Sequence, residues 1–165
     1  MNGNTDIPED PDIRSGFDLI LAFMHPITSY RDQGKMKNTK AVLKAIAANP
    51  CIDILAHPVT TWYDIDEIEV AKAAAAGGVA IELNELTLQS RGIDYKKMEL
   101  LIENTLLYNG KFAVSSDAHI ASELGLNKKA QELVNRFGIS KERIINSSLE
   151  QITAFINLRK INKKI

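Results

Sequence analysis

The sequence predicts an α/β fold in which parallel strands alternate with helices. Short apolar runs recur along the chain, and each is followed by a stretch with apolar residues at helical spacing. These helical stretches end at pairs such as Asn-Pro, Gly-Gly and Asn-Gly, which stop helices. Because a helical crossover is the usual way to bring the next strand back parallel, the alternation favours a parallel sheet.

The elements follow in order from the amino terminus. Residues 17–26, "FDLILAFMHP", form a continuous apolar run that is typical of a strand buried on both faces. Further strands are predicted at residues 51–58, 79–85 and 111–119, with a brief one at residues 143–146. Helices are predicted at residues 36–50, 64–78, 94–110, 127–138 and 148–164. The last helix has Ser148 as its expected N-cap, and its tail beyond Arg159 is expected to fray.

Length and composition limit the range of functions. The chain has 165 residues, about one domain, so we expect a single domain with a polar leader at residues 1–16. The net charge of -1 offers no attraction for nucleic acid or anionic membranes. No secretory signal and no apolar span of membrane length occurs, so we expect a soluble cytoplasmic protein. Cys51 is the single cysteine and is read as a buried thiol rather than a nucleophile.

The three histidines of the chain all fall at the ends of predicted strands. His25 closes the first strand, His57 the second, and His119 the fourth, where Asp117 precedes it by two positions. Glu82 and Asn84 end the third strand. Ligand sites of parallel α/β folds lie at the carboxyl ends of the strands. Each histidine alone is more often structural than a ligand, but three at one edge of a sheet favour a metal site.

The Asp117-x-His119 pair indicates what such a site would bind. Alternate residues of an extended chain point to the same side, so both side chains can address one metal cluster. Imidazole with carboxylate suits zinc, manganese or iron, each of which lowers the pKa of bound water. Ser115 and Ser116 adjoin the pair, but the G-x-S-x-G elbow of a serine hydrolase is missing from the sequence. A water nucleophile is therefore favoured over serine.

Four ordered segments resemble a known family. These are "ILAFMHPITSYRDQGKMKNTKAVLKAI", "IDILAHPV", "VAIELNE" and "FAVSSDAHIASELG". They are similar in order and spacing to the later motifs of the PHP (polymerase and histidinol phosphatase) family, especially its small bacterial phosphatases. The resemblance covers residues 17–158. It implies a distorted (β/α)7 barrel resembling a TIM barrel, a cluster of divalent metal ions at the carboxyl ends of the strands, and phosphoester hydrolysis.

The resemblance also implies roles for particular residues. His25, His57, Asp117 and His119 match metal ligands of the family, with Asp117 and His119 also expected to act in catalysis. The family's opening His-x-His strand, its next histidine and its bridging glutamate have no counterpart, because every histidine of this chain is already assigned. The chain therefore resembles the carboxyl-terminal two thirds of the family's barrel, with the N-terminal strands missing. About half of the metal ligands would be missing with them.

Three functional readings stay open at this point. The first is a metal-dependent phosphatase for a small phosphorylated substrate, with Arg91 as the best candidate for a phosphate contact and Arg31 and Lys35 as weaker ones. Asn84 is a candidate for orienting a bound ligand or water, with structural hydrogen bonding an equal alternative. The second is a catalytically incomplete remnant that serves as a structural subunit with one weak metal site. The third, a nucleic-acid exonuclease subunit, is disfavoured by the neutral charge. A homo-oligomer or a complementing chain is expected to cover the open barrel edges.

Overall fold

The computed structural model describes residues 10–163 and has four parallel strands that alternate with helices. The strands are β1 (Leu21–Ala22), β2 (Ile54–Leu55), β3 (Ala80–Asn84) and β4 (Lys111–Ser115). Their order in the sheet is the order in the chain, with Leu21 opposite Ile54, Leu55 opposite Ile81, and Ile81 opposite Phe112. The predicted parallel α/β architecture is confirmed.

Seven α-helices connect and follow these strands within residues 10–163. They are α1 (Pro11–Ser15), α2 (Lys35–Ala48), α3 (Glu67–Gly77), α4 (Glu85–Gln89), α5 (Tyr95–Leu107), α6 (Lys128–Arg136) and α7 (Leu149–Arg159). Short 3-10 helices cover Ala121–Glu123, Lys141–Arg143 and Lys160–Lys163. Helix α1 lies inside the predicted polar leader, of which residues 1–9 fall outside the described part. None of the described helices is both long and apolar enough to cross a membrane.

The two faces of the sheet have different partners. Leu55, Ile81 and Phe112 share one face and belong to the larger core cluster, which includes residues of the helices. Ile54, Ala80 and Ala113 share the other face and pack with Ile145 and with Phe155 of α7. Alternation along β3 places Glu82 and Asn84 on the same face as Ala80. On this second face, β3 carries a small side chain at its start, that of Ala80, and polar side chains toward its carboxyl end, those of Glu82 and Asn84.

Two sequence predictions about strands are wrong. The first strand is not buried on both faces, because Leu21 is 45% and Phe23 is 50% exposed. Strand β1 is an edge of the described sheet, so its side chains lack the neighbour that would cover them. The brief strand at residues 143–146 reduces to a single parallel bridge between Ile144 and Phe112. The preceding 3-10 helix leaves too little extended chain for a ladder.

Residues Lys160–Lys163 form a 3-10 helix where fraying was expected, and residues 164–165 lie outside the described part. Ser148 caps α7 as predicted, by accepting a hydrogen bond from the backbone N–H of Gln151. Beyond it, Arg159 Nε lies 3.1 Å from Asp53 Oδ1, and Lys163 Nζ lies 2.9 Å from Asp53 Oδ2. Asp53 is fully buried, and both cations are at most 5% exposed. These two basic side chains connect the end of α7 and the 3-10 helix after it to a buried carboxylate just before β2.

Glu85 caps a helix to which it does not belong. Asn127, at the N-cap position of α6, makes no side-chain hydrogen bond to the helix, whereas Glu85 Oε2 accepts one from Ala130 N at 2.9 Å. Glu85 Oε1 accepts another from Gln89 Nε2 at 2.7 Å. Burial acts to raise the pKa of Glu85, but these hydrogen bonds and the nearby Lys129 outweigh it and hold the pKa below its ordinary value.

We predict that Glu85→Ala lowers the free energy of unfolding by about 1–3 kcal/mol near pH 7, because the buried N–H of Ala130 loses its acceptor. Since the folded-state pKa is depressed, this contribution is complete above the ordinary carboxyl pKa and disappears as pH falls through the folded value. Urea unfolding of the wild type and of Glu85→Ala at pH 7 and pH 3 measures the difference in their free energies of unfolding. Exposed Glu132→Ala on α6 is the control. An equal difference at both pH values would contradict the prediction.

Candidate functional site

The carboxyl ends of the strands surround a pocket of about 470 Å³. Four elements contribute to it: the segments after β1, β2 and β4, and the β3–α4 junction. Every candidate metal ligand from the sequence lines this pocket, together with the strand-end residues of β3: His25, His57, Glu82, Asn84, Asp117 and His119. The structure therefore brings together residues that are up to 94 positions apart in the chain.

Two of the candidate ligands have a left-handed backbone. His57 has φ 30° and Asp117 has φ 52°, a region that non-glycine residues rarely adopt. Each such residue costs on the order of 1–3 kcal/mol unless its surroundings enforce the conformation, and such residues cluster at functional sites. In both cases one residue separates the strained residue from the end of its strand, and the strained residue lines the pocket.

Glu82 holds the turn at His57 and the end of β4 together. Its Oε2 accepts a hydrogen bond from the backbone N–H of His57 at 2.8 Å, and its Oε1 accepts one from Ser115 Oγ at 2.7 Å. Asn84 Nδ2 donates a weaker bond to Glu82 Oε2 at 3.3 Å. Glu82 is 5% exposed, and no lysine or arginine among residues 10–163 forms an ion pair with it. Its two oxygens therefore accept hydrogen bonds from three elements that border this pocket.

The hydrogen bonds of the imidazoles determine which nitrogen each presents. His119 Nδ1 lies 2.9 Å from the carbonyl oxygen of Asp117, which can accept but not donate. The proton of neutral His119 is therefore on Nδ1, and Nε2 presents a lone pair suited to a metal. His25 Nδ1 instead accepts a bond from Ile27 N at 3.3 Å, so neutral His25 carries its proton on Nε2. Ligation through His25 Nε2 requires that weak bond to break.

Aromatic rings separate the histidines of the pocket. The ring of Phe23 lies 6.0 Å from that of His25 and 5.3 Å from that of His57, measured between centroids. Trp62 contacts His25 at 5.2 Å in an edge arrangement and is half exposed. Tyr63, its neighbour, is instead buried and donates to the carbonyl of Tyr30. Trp62 lines the pocket, whereas the ring of Tyr63 lies 5.9 Å from that of Tyr30, measured between centroids.

The donor set fits a divalent metal ion in its chemistry. Imidazole nitrogens and a carboxylate are the ligands that zinc, manganese and iron accept, and the fixed tautomer of His119 suits ligation. In the described residues, however, no three His, Cys, Asp or Glu side chains are grouped closely enough to hold one ion. The candidate ligands line the same pocket from different sides, so binding requires them to move closer or to be joined by further ligands.

The candidate phosphate contacts are less clearly placed. Asn84 lines the pocket, but Oδ1 accepts from Thr87 N and Nδ2 donates to Glu82, which leaves one N–H for a ligand. Arg31 is exposed, and its Nη1 donates to carbonyls of its own loop, including that of Pro26 at 3.2 Å. Arg91 is exposed beside Ser90, which does line the pocket. The roles of these residues in substrate binding stay predictions.

Sequence reasoning did not assign Glu82 a role in organising the site. It noted Glu82 as a strand-end residue, but the contacts that matter connect it to positions 25 and 33 residues away. A local signal existed, because a carboxylate inside a buried apolar strand needs a partner. The pattern alone could not say that the partners would be the backbone of His57 and the hydroxyl of Ser115.

Comparison with known proteins finds similarity to probable phosphatases. No family model matches the sequence. A "Probable phosphatase" of Thermoanaerobacter sp. is 30% identical over 159 residues, which are 96% of this chain and 64% of that protein. A "Probable phosphatase" of Syntrophotalea carbinolica is 34% identical over 142 residues, 86% of this chain and 59% of that protein. A "Probable phosphatase" of Clostridium acetobutylicum is 32% identical over 160 residues, which are 96% of this chain and 64% of that protein. The chain thus spans about 60% of the length of these curated relatives.

Proposed function

We propose that this chain is the metal-binding portion of a PHP-type phosphatase that hydrolyses a small phosphorylated substrate. The observation that carries the proposal is the single pocket that contains His25, His57, Asp117 and His119. Similarity to probable phosphatases over 96% of the chain supports the reaction class. The parallel sheet, with its polar residues at the carboxyl ends of the strands, is compatible with part of a (β/α)7 barrel.

The four candidate ligands would hold one or more divalent transition metal ions. Such an ion supplies, when bound, a lowered pKa for water and positive charge near the phosphate oxygens. His119 would present Nε2 to it, because its Nδ1–H is committed to the Asp117 carbonyl. Asp117, which is exposed and lines the pocket, could accept a proton from an attacking water. These two residues are the catalytic candidates.

Other residues would bind and shield the substrate. Asn84 has one amide N–H left for a phosphate oxygen, and Arg91 would have to turn toward the pocket from its exposed loop. Trp62 and Phe23 form apolar walls beside His25 that would exclude water from one side. The pocket size suits a small phosphorylated molecule rather than a polymer.

The test is elemental analysis of the purified protein as isolated, beside His119→Ala. We expect about two or more divalent ions per chain and a loss of affinity of more than about tenfold in the variant. Hydrolysis of p-nitrophenyl phosphate with added Zn²⁺ or Mn²⁺ should fall with the metal content. Ser116→Ala is the matched control on the same loop, since Ser116 does not line the pocket. Loss of turnover in Ser116→Ala, with His119→Ala active, would indicate a serine nucleophile and refute the proposal.

A second candidate function is a structural subunit that binds metal weakly and does not turn over. The specific observation in its favour is that no three ligand-type side chains in the described part of the chain are grouped around one point. Both candidate functions predict that metal binding depends on His119. They differ in the number of ions bound per chain and in whether the protein hydrolyses phosphate esters. No more than one weakly held ion, with no hydrolysis at saturating Zn²⁺ or Mn²⁺, would favour the structural subunit.

A further inference from the structure

Polar and apolar side chains reach the pocket at the carboxyl ends of the strands from different elements. Asp117 and His119 come from the loop after β4. Phe23, Ile27 and Trp62, here called the apolar wall, come from the segments after β1 and β2. The catalytic candidates and the apolar wall therefore belong to one pocket of about 470 Å³. A pocket with this division can bind a ligand that has one charged end and one apolar end.

Each member of the apolar wall contacts the candidate metal ligand His25. The ring of Trp62 lies 5.2 Å from the imidazole and that of Phe23 lies 6.0 Å from it, measured between centroids. The backbone N–H of Ile27 donates to His25 Nδ1 at 3.3 Å. A phosphate group held near His25 would therefore have the group esterified to it beside apolar side chains.

The loop after β2 holds Trp62 in an exposed position. The indole is 52% exposed, and the neighbouring Ile27 of the wall is 86% exposed. Thr60 Oγ1 accepts hydrogen bonds from the backbone N–H groups of Trp62 and Tyr63, at 3.2 Å each. Tyr63 is itself buried and donates its hydroxyl to the carbonyl of Tyr30 at 3.1 Å. The loop thus has a buried anchor next to the exposed indole, and exposed apolar side chains grouped at a pocket mark a ligand-binding surface.

The chemistry of the wall favours an aromatic ligand over a sugar. A sugar or polyol needs polar partners to replace its bonds to water. Several polar groups of these two segments are already engaged: His25 Nδ1 accepts from a backbone N–H, Thr60 Oγ1 accepts from two, and Arg31 Nη1 donates to carbonyls of its own loop. An aromatic ring needs no such partners and gains from edge or offset contacts with Trp62 and Phe23.

We propose that the apolar wall binds the alcohol part of the substrate, and that this part is an apolar aromatic ring close to the phosphate. The substrate class is then a phosphate monoester of an aromatic alcohol rather than of a sugar or polyol. Hydrolysis adds water across the P–O bond, so inorganic phosphate and the aromatic alcohol are released. The inference rests on the proposed phosphatase function, but binding of the ring is measured without turnover.

The test titrates the protein, as isolated and with added Zn²⁺, with benzylphosphonate and with methylphosphonate, neither of which can be hydrolysed. Trp62 is the single tryptophan of the chain, so its fluorescence reports on the apolar wall directly. We expect benzylphosphonate to change this emission and to bind at least about tenfold more tightly than methylphosphonate, because only benzylphosphonate carries a ring. Equal affinity for the two phosphonates, or benzylphosphonate binding that leaves the emission unchanged, would overturn the proposal.

Calorimetry on folded variants, checked by circular dichroism, tests whether Trp62 recognises the ring. Trp62→Ala should weaken benzylphosphonate binding by at least about tenfold and methylphosphonate binding by less. Trp62→Phe keeps a flat ring and should recover most of the lost affinity. Leu158→Ala is the control, because Leu158 is an exposed apolar residue of α7 that does not line the pocket. Equal weakening of both phosphonates in Trp62→Ala would overturn the proposal, since the indole would then only support the loop.

Turnover of benzyl phosphate and of glycerol 3-phosphate separates this inference from the proposed function. Comparing each ester in Trp62→Ala and in the wild type cancels the difference in their intrinsic reactivities. We expect kcat/KM to fall at least about tenfold for benzyl phosphate and less for glycerol 3-phosphate. Equal falls would overturn the aromatic substrate class while the phosphatase function stands. Benzylphosphonate binding that depends on Trp62, with neither ester hydrolysed, would refute the phosphatase function and support the aromatic site.

Discussion

Replacing Asp53 with asparagine should lower the free energy of unfolding by about 3–5 kcal/mol. Asp53 is fully buried and forms ion pairs with Arg159 and Lys163, which are 5% and 1% exposed. Asparagine keeps the size of the side chain and an oxygen for the backbone N–H of Ile20, which Asp53 Oδ2 now accepts at 2.8 Å. The variant therefore removes the charge and also replaces the oxygen that accepts from Arg159 Nε with an amide group that can only donate. Urea denaturation at pH 7 measures the loss.

Lys163→Met is the matched control for this prediction. The cluster contains one carboxylate and two cations, so loss of Asp53 leaves two buried positive charges, whereas loss of Lys163 leaves the balanced Asp53–Arg159 pair. Methionine also retains most of the apolar stem of lysine. We expect Lys163→Met to cost clearly less than Asp53→Asn. Similar costs would show that the ion pairs are less important than the packing of the tail.

The sequence allowed the parallel α/β sheet and its strand ends to be predicted, because both depend on local patterns. An apolar run of strand length and a residue pair that stops a helix can each be recognised within a few consecutive residues. The α4 helix was missed, since its five residues directly follow β3 and contain no apolar period. The exposure of Leu21 was also missed, because a continuous apolar run cannot reveal whether a neighbouring strand covers it.

Polar contacts between residues far apart in the chain could not be predicted from local sequence patterns. The Asp53–Arg159 pair joins residues 106 positions apart, and nothing in the local sequence of either residue selects the other. The tail was predicted to fray on the general expectation that exposed basic termini do so. A buried aspartate in the run "CIDILAHP" was the available signal, because a carboxylate in that position requires a cation or several donors.

The sequence allowed us to predict that the candidate ligands lie near one another, but not which contacts hold them there, and their roles stay predictions. Three histidines and Asp117 at strand ends were enough to place the pocket, because parallel strands bring their carboxyl ends together. The left-handed backbone at His57 was not predictable, since histidine has little intrinsic preference for it. What stabilises it is Glu82, whose Oε2 accepts the His57 N–H. The geometry of the site therefore depends on a residue outside the candidate ligand set.

Replacing Glu82 with alanine should weaken binding of Zn²⁺ or Mn²⁺ by about 10–100-fold, the usual effect of losing a residue that orients metal ligands. Without the carboxylate, the His57 N–H and the Ser115 hydroxyl lose their acceptor, and the loop at His57 is free to leave its strained conformation. The free energy of unfolding should also fall by about 1–3 kcal/mol. Isothermal titration calorimetry and urea unfolding measure the two effects.

Glu82→Gln separates the hydrogen bonds from the charge. The glutamine carbonyl can accept the His57 N–H while its amide donates to Ser115 Oγ, since a hydroxyl can also accept. Stability and the amide chemical shift of His57 should then stay close to wild type, and metal binding should weaken less than in Glu82→Ala. If both variants lose metal equally while His57 keeps its amide shift, Glu82 acts through its negative charge. If neither loses metal, Glu82 has no role in holding His57 as a ligand.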